Sequence, residues 1–111
     1  MDFNEYQKLA SRTADFTGVP GEYPLMYAAL GLAGESGELI EKIKKIMRND
    51  GGSVSEEKKI SLTHEIGDVL WYLSQIARLL DVPFADAAQA NIDKLADRAK
   101  RDVIRSEGDT R

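Results

Sequence analysis

From Leu25 to Ile46 the chain places Leu25, Ala29, Leu32, Ser36, Leu39, Ile43 and Ile46 at alternating steps of four and three. Leu62, Ile66, Val69, Leu73, Ile76 and Leu80 repeat that rhythm. Such spacing paints one stripe along a helix and conflicts with the two-residue period of a strand. Each stripe needs a second surface to cover it, and another helix is the simplest one. Phe3, Tyr6, Leu9, Thr13 and Phe16 predict a first helix over about 2–16, with Asp2 as N-cap. Gly18, Pro20, Gly21 and Pro24 interrupt the pattern as a loop. The second helix is then expected over about 24–48, with Pro24 in its first turn and Gly51-Gly52 beyond its end. The third runs from a cap at Ser53 or Ser55 to about Leu80, and Ser53 with Glu56 has the spacing of a capping box. Ala88, Ile92, Leu95 and Ala99 mark a fourth helix from about Pro83 to Ile104. No strand pattern is present. The expected fold is all-α, a four-helix bundle-like domain over 1–111, with the polar tail 106–111 frayed.

Composition narrows the function. A chain of 111 residues is expected to form one domain, and a bundle this small gains from dimerisation. The net charge of −4 argues against a general nucleic-acid surface. The lack of cysteine excludes disulfides and thiolate metal sites, and a single histidine argues against a His-rich zinc site. The N-terminal residues lack the blocks of a signal peptide, and no apolar run reaches the roughly 20 residues of a membrane span. A cytoplasmic protein is expected, with neither nucleic acid nor membrane as partner.

Against this background, one motif stands out. Glu35-Ser36-Gly37-Glu38-Leu39-Ile40 is echoed by Glu65-Ile66-Gly67-Asp68-Val69-Leu70. On a helix, residues at i and i+3 project from neighbouring turns of one face. Each acid here sits one residue before a stripe position, so each pair borders the stripe on the same flank of its helix. Face-to-face packing would bring four carboxylates together. Like charges in a partly buried site repel and raise one another's pKa unless cations are present. Oxygen ligands without sulfur suit Mg²⁺, with Mn²⁺ as a substitute. A di-iron bundle would need Glu-x-x-His, but Ser61 stands three residues before His64. Gly31, Gly34, Gly37 and Gly67 lie inside expected helices, where each costs roughly 1 kcal/mol relative to alanine. They point to close helix approach, to space beside the acids, or to both.

At these residues the chain resembles the MazG-like all-α nucleoside triphosphate pyrophosphohydrolases. The run Gly31-Leu32-Ala33-Gly34-Glu35-Ser36-Gly37-Glu38-Leu39 supplies the Glu-x-x-Glu motif, and Glu65-Ile66-Gly67-Asp68-Val69-Leu70-Trp71-Tyr72 supplies Glu-x-x-Asp. The resemblance implies Mg²⁺-dependent hydrolysis of a (deoxy)nucleoside triphosphate to monophosphate and pyrophosphate, as nucleotide-pool house-cleaning. It also implies a homodimer or homotetramer with sites near subunit interfaces. Glu35, Glu38, Glu65 and Asp68 would hold the metal, and Glu35 or Glu38 would serve as base. Many relatives carry a second glutamate where this chain has Gly34, so one ligand or base is absent here.

Asn91, Lys94, Arg98 and Arg101 form a polar stripe on the fourth helix. Asn91 and Lys94 match an Asn-x-x-Lys spacing of the family and would hold triphosphate, with Arg98 a further candidate. Lys42 and Lys45 follow Glu38 on its flank and either reach phosphate or pair with the acids. Trp71, Tyr23 and Tyr27 are candidates for base stacking, although a lone helical Trp more often packs in a core or an interface. The alternative reading is a non-catalytic helical interaction module whose acids only border the packing.

Overall fold

In the computed structural model, described for residues 1–16, 18–19 and 23–104 (side chains to 101), four helices follow in order. They are α1 (Phe3–Ser11), α2 (Pro24–Asp50), α3 (Glu56–Leu79) and α4 (Phe84–Ile104). The all-α expectation holds. Part of the expected loop before α2 and the tail 106–111 lie outside the described residues.

The helix boundaries have local causes. The Asp2 carboxylate accepts from the Glu5 amide at 2.7 Å and starts α1. Pro24 opens α2, where its missing N–H costs nothing. Gly51, at φ 62°, ends α2 in the left-handed region, and the Gly52 amide reaches back to the Ile46 carbonyl at 3.3 Å. Ser55, rather than Ser53, caps α3, because its hydroxyl accepts from the Lys58 amide at 3.2 Å. Ser53 is instead held in the turn, its amide donating to the Asp50 carbonyl.

Helix α1 is shorter than its apolar spacing predicts. The Ala10 carbonyl accepts from the Thr13 amide and hydroxyl, and from the Trp71 indole N–H at 3.2 Å. These bonds tighten the chain into an i+3 turn and stop the helix.

Helices α2 and α3 form an antiparallel hairpin, and its register can be read from three contacts. Lys58 pairs with Asp50 near the turn, Lys42 pairs with Glu65 further along, and Gly31 packs on Tyr72 further still. Helix α1 lies against α3 and α4. Its side chains cap α4: Asn4 Oδ1 accepts from the Ala85 amide at 2.9 Å, and Gln7 Oε1 from the Phe84 amide at 3.1 Å. Gln7 Nε2 also donates to the Ser74 and Val82 carbonyls. Phe3 meets Phe84 edge to face at 5.2 Å.

One chain only partly covers its stripes. Ile46 is buried, but Leu25, Ile43, Ile66, Leu73 and Leu80 are exposed. The reason is topological: among the described residues α2 brings its backbone close to α3 alone, and α4 reaches α1 and α3. The radius of gyration is 17.6 Å, against about 13 Å for a compact chain of this length. Leu30, 68% exposed, and Met26, Ile40 and Met47 extend the uncovered apolar surface of α2.

Candidate functional site

The hairpin register decides which acids meet. Glu35 and Glu38 project from α2 beside Ser36 and Leu39, and Glu65 projects from the antiparallel α3. One carboxylate oxygen from each of the three lies within 4.8 Å of those from the other two. Asp68, on the next turn of α3, is exposed and stands outside this group. Its charge still acts on Glu35. The two acid pairs therefore face one another across the hairpin, with three members drawn close together.

The acids differ in their surroundings. Glu65 is only 8% exposed. Its Oε1 accepts from the Lys42 ammonium at 2.7 Å, and that ammonium also donates to the Ser61 hydroxyl at 3.0 Å. The Lys42 hydrogen bond holds the Glu65 carboxyl below the usual carboxylate range, against its burial. Glu35 shifts the other way. Burial pushes its pKa up, and the Glu38 and Asp68 charges add to the rise. The Oε2 atoms of both Glu35 and Glu65 are buried without a hydrogen-bond partner. A buried carboxylate oxygen without a partner is costly. Three carboxylates with oxygens within 4.8 Å of one another, two of which also carry a buried unpartnered oxygen, offer hard donors of the kind a divalent cation takes up.

The glycines divide into two kinds. A Cβ on Gly31 would lie 2.1 Å from the Tyr72 ring, so this glycine permits close helix approach. A Cβ on Gly34, Gly37 or Gly67 would meet nothing within 4 Å. These three leave open space around the acids. Close packing accounts for Gly31, while the other three face open space.

Tyr72 stands beside the acids, with its hydroxyl pKa raised by burial, then by Tyr27, Glu35 and Asp68. Tyr6 of α1 is raised by burial and then by Asp68, so α1 also borders the site. Periodicity in the sequence gave no sign of Tyr6 there. Trp71 is anchored to the end of α1 through its indole N–H and meets Tyr72 edge to face at 4.9 Å. That contact fits the packing expectation rather than base stacking. Tyr23 and Tyr27 are exposed, and Tyr27 meets Phe16 edge to face. His64 is exposed as well.

On α4, Asn91 and Lys94 are exposed and Arg98 is half-buried. Asn91 lines a groove with Leu70 and Leu73 of α3. Among the described residues the backbone of α4 does not approach that of α2. Arg101 pairs with Asp97 at 3.1 Å, one turn back on α4. Lys45 lies 3.9 Å from Glu41 and faces the cleft that Lys42, Asn49, Lys58 and Ser61 also line.

Comparison with known proteins agrees with this layout. The sequence matches the MazG nucleotide pyrophosphohydrolase domain over residues 26–103, which contain all four acids. It is 41% identical over 115 aligned residues to the Gene 37 protein of Mycobacterium phage L5, and the alignment covers the whole of both chains. No solved structure matches the chain. With the domain matched across the hairpin and most of α4, this chain belongs to the MazG nucleotide pyrophosphohydrolase family.

Proposed function

We propose that this chain hydrolyses (deoxy)nucleoside triphosphates to monophosphate and pyrophosphate with Mg²⁺, and so clears unwanted nucleotides from the pool. The observation that carries this reading is Glu65: a buried acid with an unpartnered oxygen, facing Glu35 and Glu38 across the hairpin. Glu35, Glu38 and Glu65 would hold the cation, with Asp68 completing the set. When bound, a divalent cation supplies charge neutralisation and a water acidic enough to be activated near neutral pH.

The remaining steps fall to the protein's own groups. Glu35 or Glu38 is the proposed proton acceptor for the attacking water. Tyr72 and Tyr6 wall the site beside Glu35 and Asp68. Asn91, Lys94 and Arg98 are the proposed phosphate contacts. Since the backbone of α4 does not approach that of α2 among the described residues, a second copy is the proposed source of these groups. The uncovered stripes of α2 and α3 support a homodimer or homotetramer, because a surface of this kind is costly in water.

The interaction-module alternative has one point in its favour, the Lys42–Glu65 pair. It gives no account of Glu35, whose neighbours are anionic and whose Oε2 has no partner. Incubation with a panel of NTPs and dNTPs plus Mg²⁺ tests the proposal. Pyrophosphate release from at least one substrate is expected. Release from none by folded protein, or wild-type turnover by Glu38→Gln, would refute it.

A further inference from the structure

Lys42 is a cation bound into the acid group. Its ammonium donates to Glu65 Oε1 and Ser61 Oγ. Its side chain is nevertheless 42% exposed and lines a cleft of about 280 Å³ between the ends of α2 and α3. The tip is therefore tied to a buried acid, while the stem has room to swing. Lys44 and Lys45 instead reach Glu41 on their own helix.

We propose that Lys42 is a built-in counter-cation, which holds Glu65 in place in the metal-free protein and is displaced into the cleft when a divalent ion binds. This rests on the reading of the acids as a cation site. A positive charge fixed within hydrogen-bonding distance of a ligand carboxylate opposes a second cation at that carboxylate. It also spares a buried acid from standing unpaired while the site is empty. Lys42 is thus a positioning residue that acts through Glu65, and it sets how tightly the metal is held.

Two measurements test it. The first is calorimetric titration of Mg²⁺ and Mn²⁺ into metal-free wild type, Lys42→Met and Lys42→Arg, without nucleotide. Lys42→Met is expected to bind metal about tenfold more tightly, from removal of one adjacent like charge in a partly exposed setting. Lys42→Arg is expected to stay near wild type. Unchanged or weaker binding by Lys42→Met would overturn the proposal and make Lys42 only a scaffold for Glu65.

The second measurement uses wild type alone and so does not depend on a variant folding. It follows the rate of amine acetylation at Lys42 by mass spectrometry as Mg²⁺ is added, with Lys44 as internal control. Metal is expected to raise the rate at Lys42 and leave Lys44 unchanged. A constant or falling rate at Lys42, with metal binding seen by calorimetry, would overturn the proposal while leaving the cation site standing. No metal binding by wild type or by either variant would remove both.

Discussion

Alanine substitution at four helical glycines separates their two roles. Gly31, Gly34, Gly37 and Gly67 all lie inside α2 or α3, and none has a positive φ. Helix propensity alone favours alanine by about 1 kcal/mol at each. At Gly34, Gly37 and Gly67 the new methyl meets nothing within 4 Å, so that gain is expected in full. At Gly31 the methyl would sit 2.1 Å from a Tyr72 ring carbon. Ordinary contact needs roughly 3.5 Å or more, so the ring must retreat by over ~1 Å. Tyr72 is half-buried against Trp71, and overpacking of this sort costs about 1–3 kcal/mol. The net expectation at Gly31 runs from no change to a loss of about 2 kcal/mol. Denaturant melts of the metal-free proteins followed by circular dichroism read the difference directly. A gain in stability is predicted at Gly67, and no gain or a loss at Gly31. Equal destabilisation at both would refute the division, by showing that the space beside Gly67 is filled in solution. Because Gly37 and Gly67 precede the second acid of each pair, their alanine variants are also expected to gain stability and lose turnover.

Two further perturbations test opposite parts of the structure. Glu35 has a raised folded-state pKa, so its charged form penalises the metal-free fold. That penalty grows as pH rises from the ordinary value of 4.5 through the folded pKa, and it is absent below both. Glu65 has a lowered pKa, so its contribution is present above 4.5 and is lost as pH falls through the folded value. Thermal melts without metal should therefore find Glu35→Gln more stable and Glu65→Gln less stable than wild type at pH 7. Both differences should shrink in acid, and the reverse order at pH 7 would contradict the assigned environments. Gln7→Ala removes the link from α1 to the Phe84 amide and to the Ser74 and Val82 carbonyls. A loss of about 2 kcal/mol is expected in denaturant unfolding, and a change within error would mean that water replaces these bonds.

The hairpin and its acids were legible in the sequence because one short-range rule governs both. A four-three spacing sets the stripe, and a residue just before the stripe falls on its border. The Lys42–Glu65 pair was only half legible. Spacing places Lys42 one turn beyond Glu38, but its partner depends on the register of α2 against α3. Helix α1 was least legible because distant residues decide its end and its role. Trp71 takes up the Ala10 carbonyl from 61 positions away, and Gln7 reaches the start of α4 from 77. The choice of Ser55 over Ser53 also turned on how Gly51 and Gly52 bend the chain, since both serines satisfy the local cap pattern.

The central claim is that Glu35, Glu38 and Glu65 form one divalent-cation site. Mn²⁺ binding followed by electron paramagnetic resonance, on wild type and on the Glu35→Gln, Glu38→Gln and Glu65→Gln variants without nucleotide, tests it most directly. Saturable binding by wild type is predicted, with affinity falling at least about tenfold in each variant, as expected when a charged ligand is removed from the ion. Wild-type affinity retained by all three variants would contradict the account.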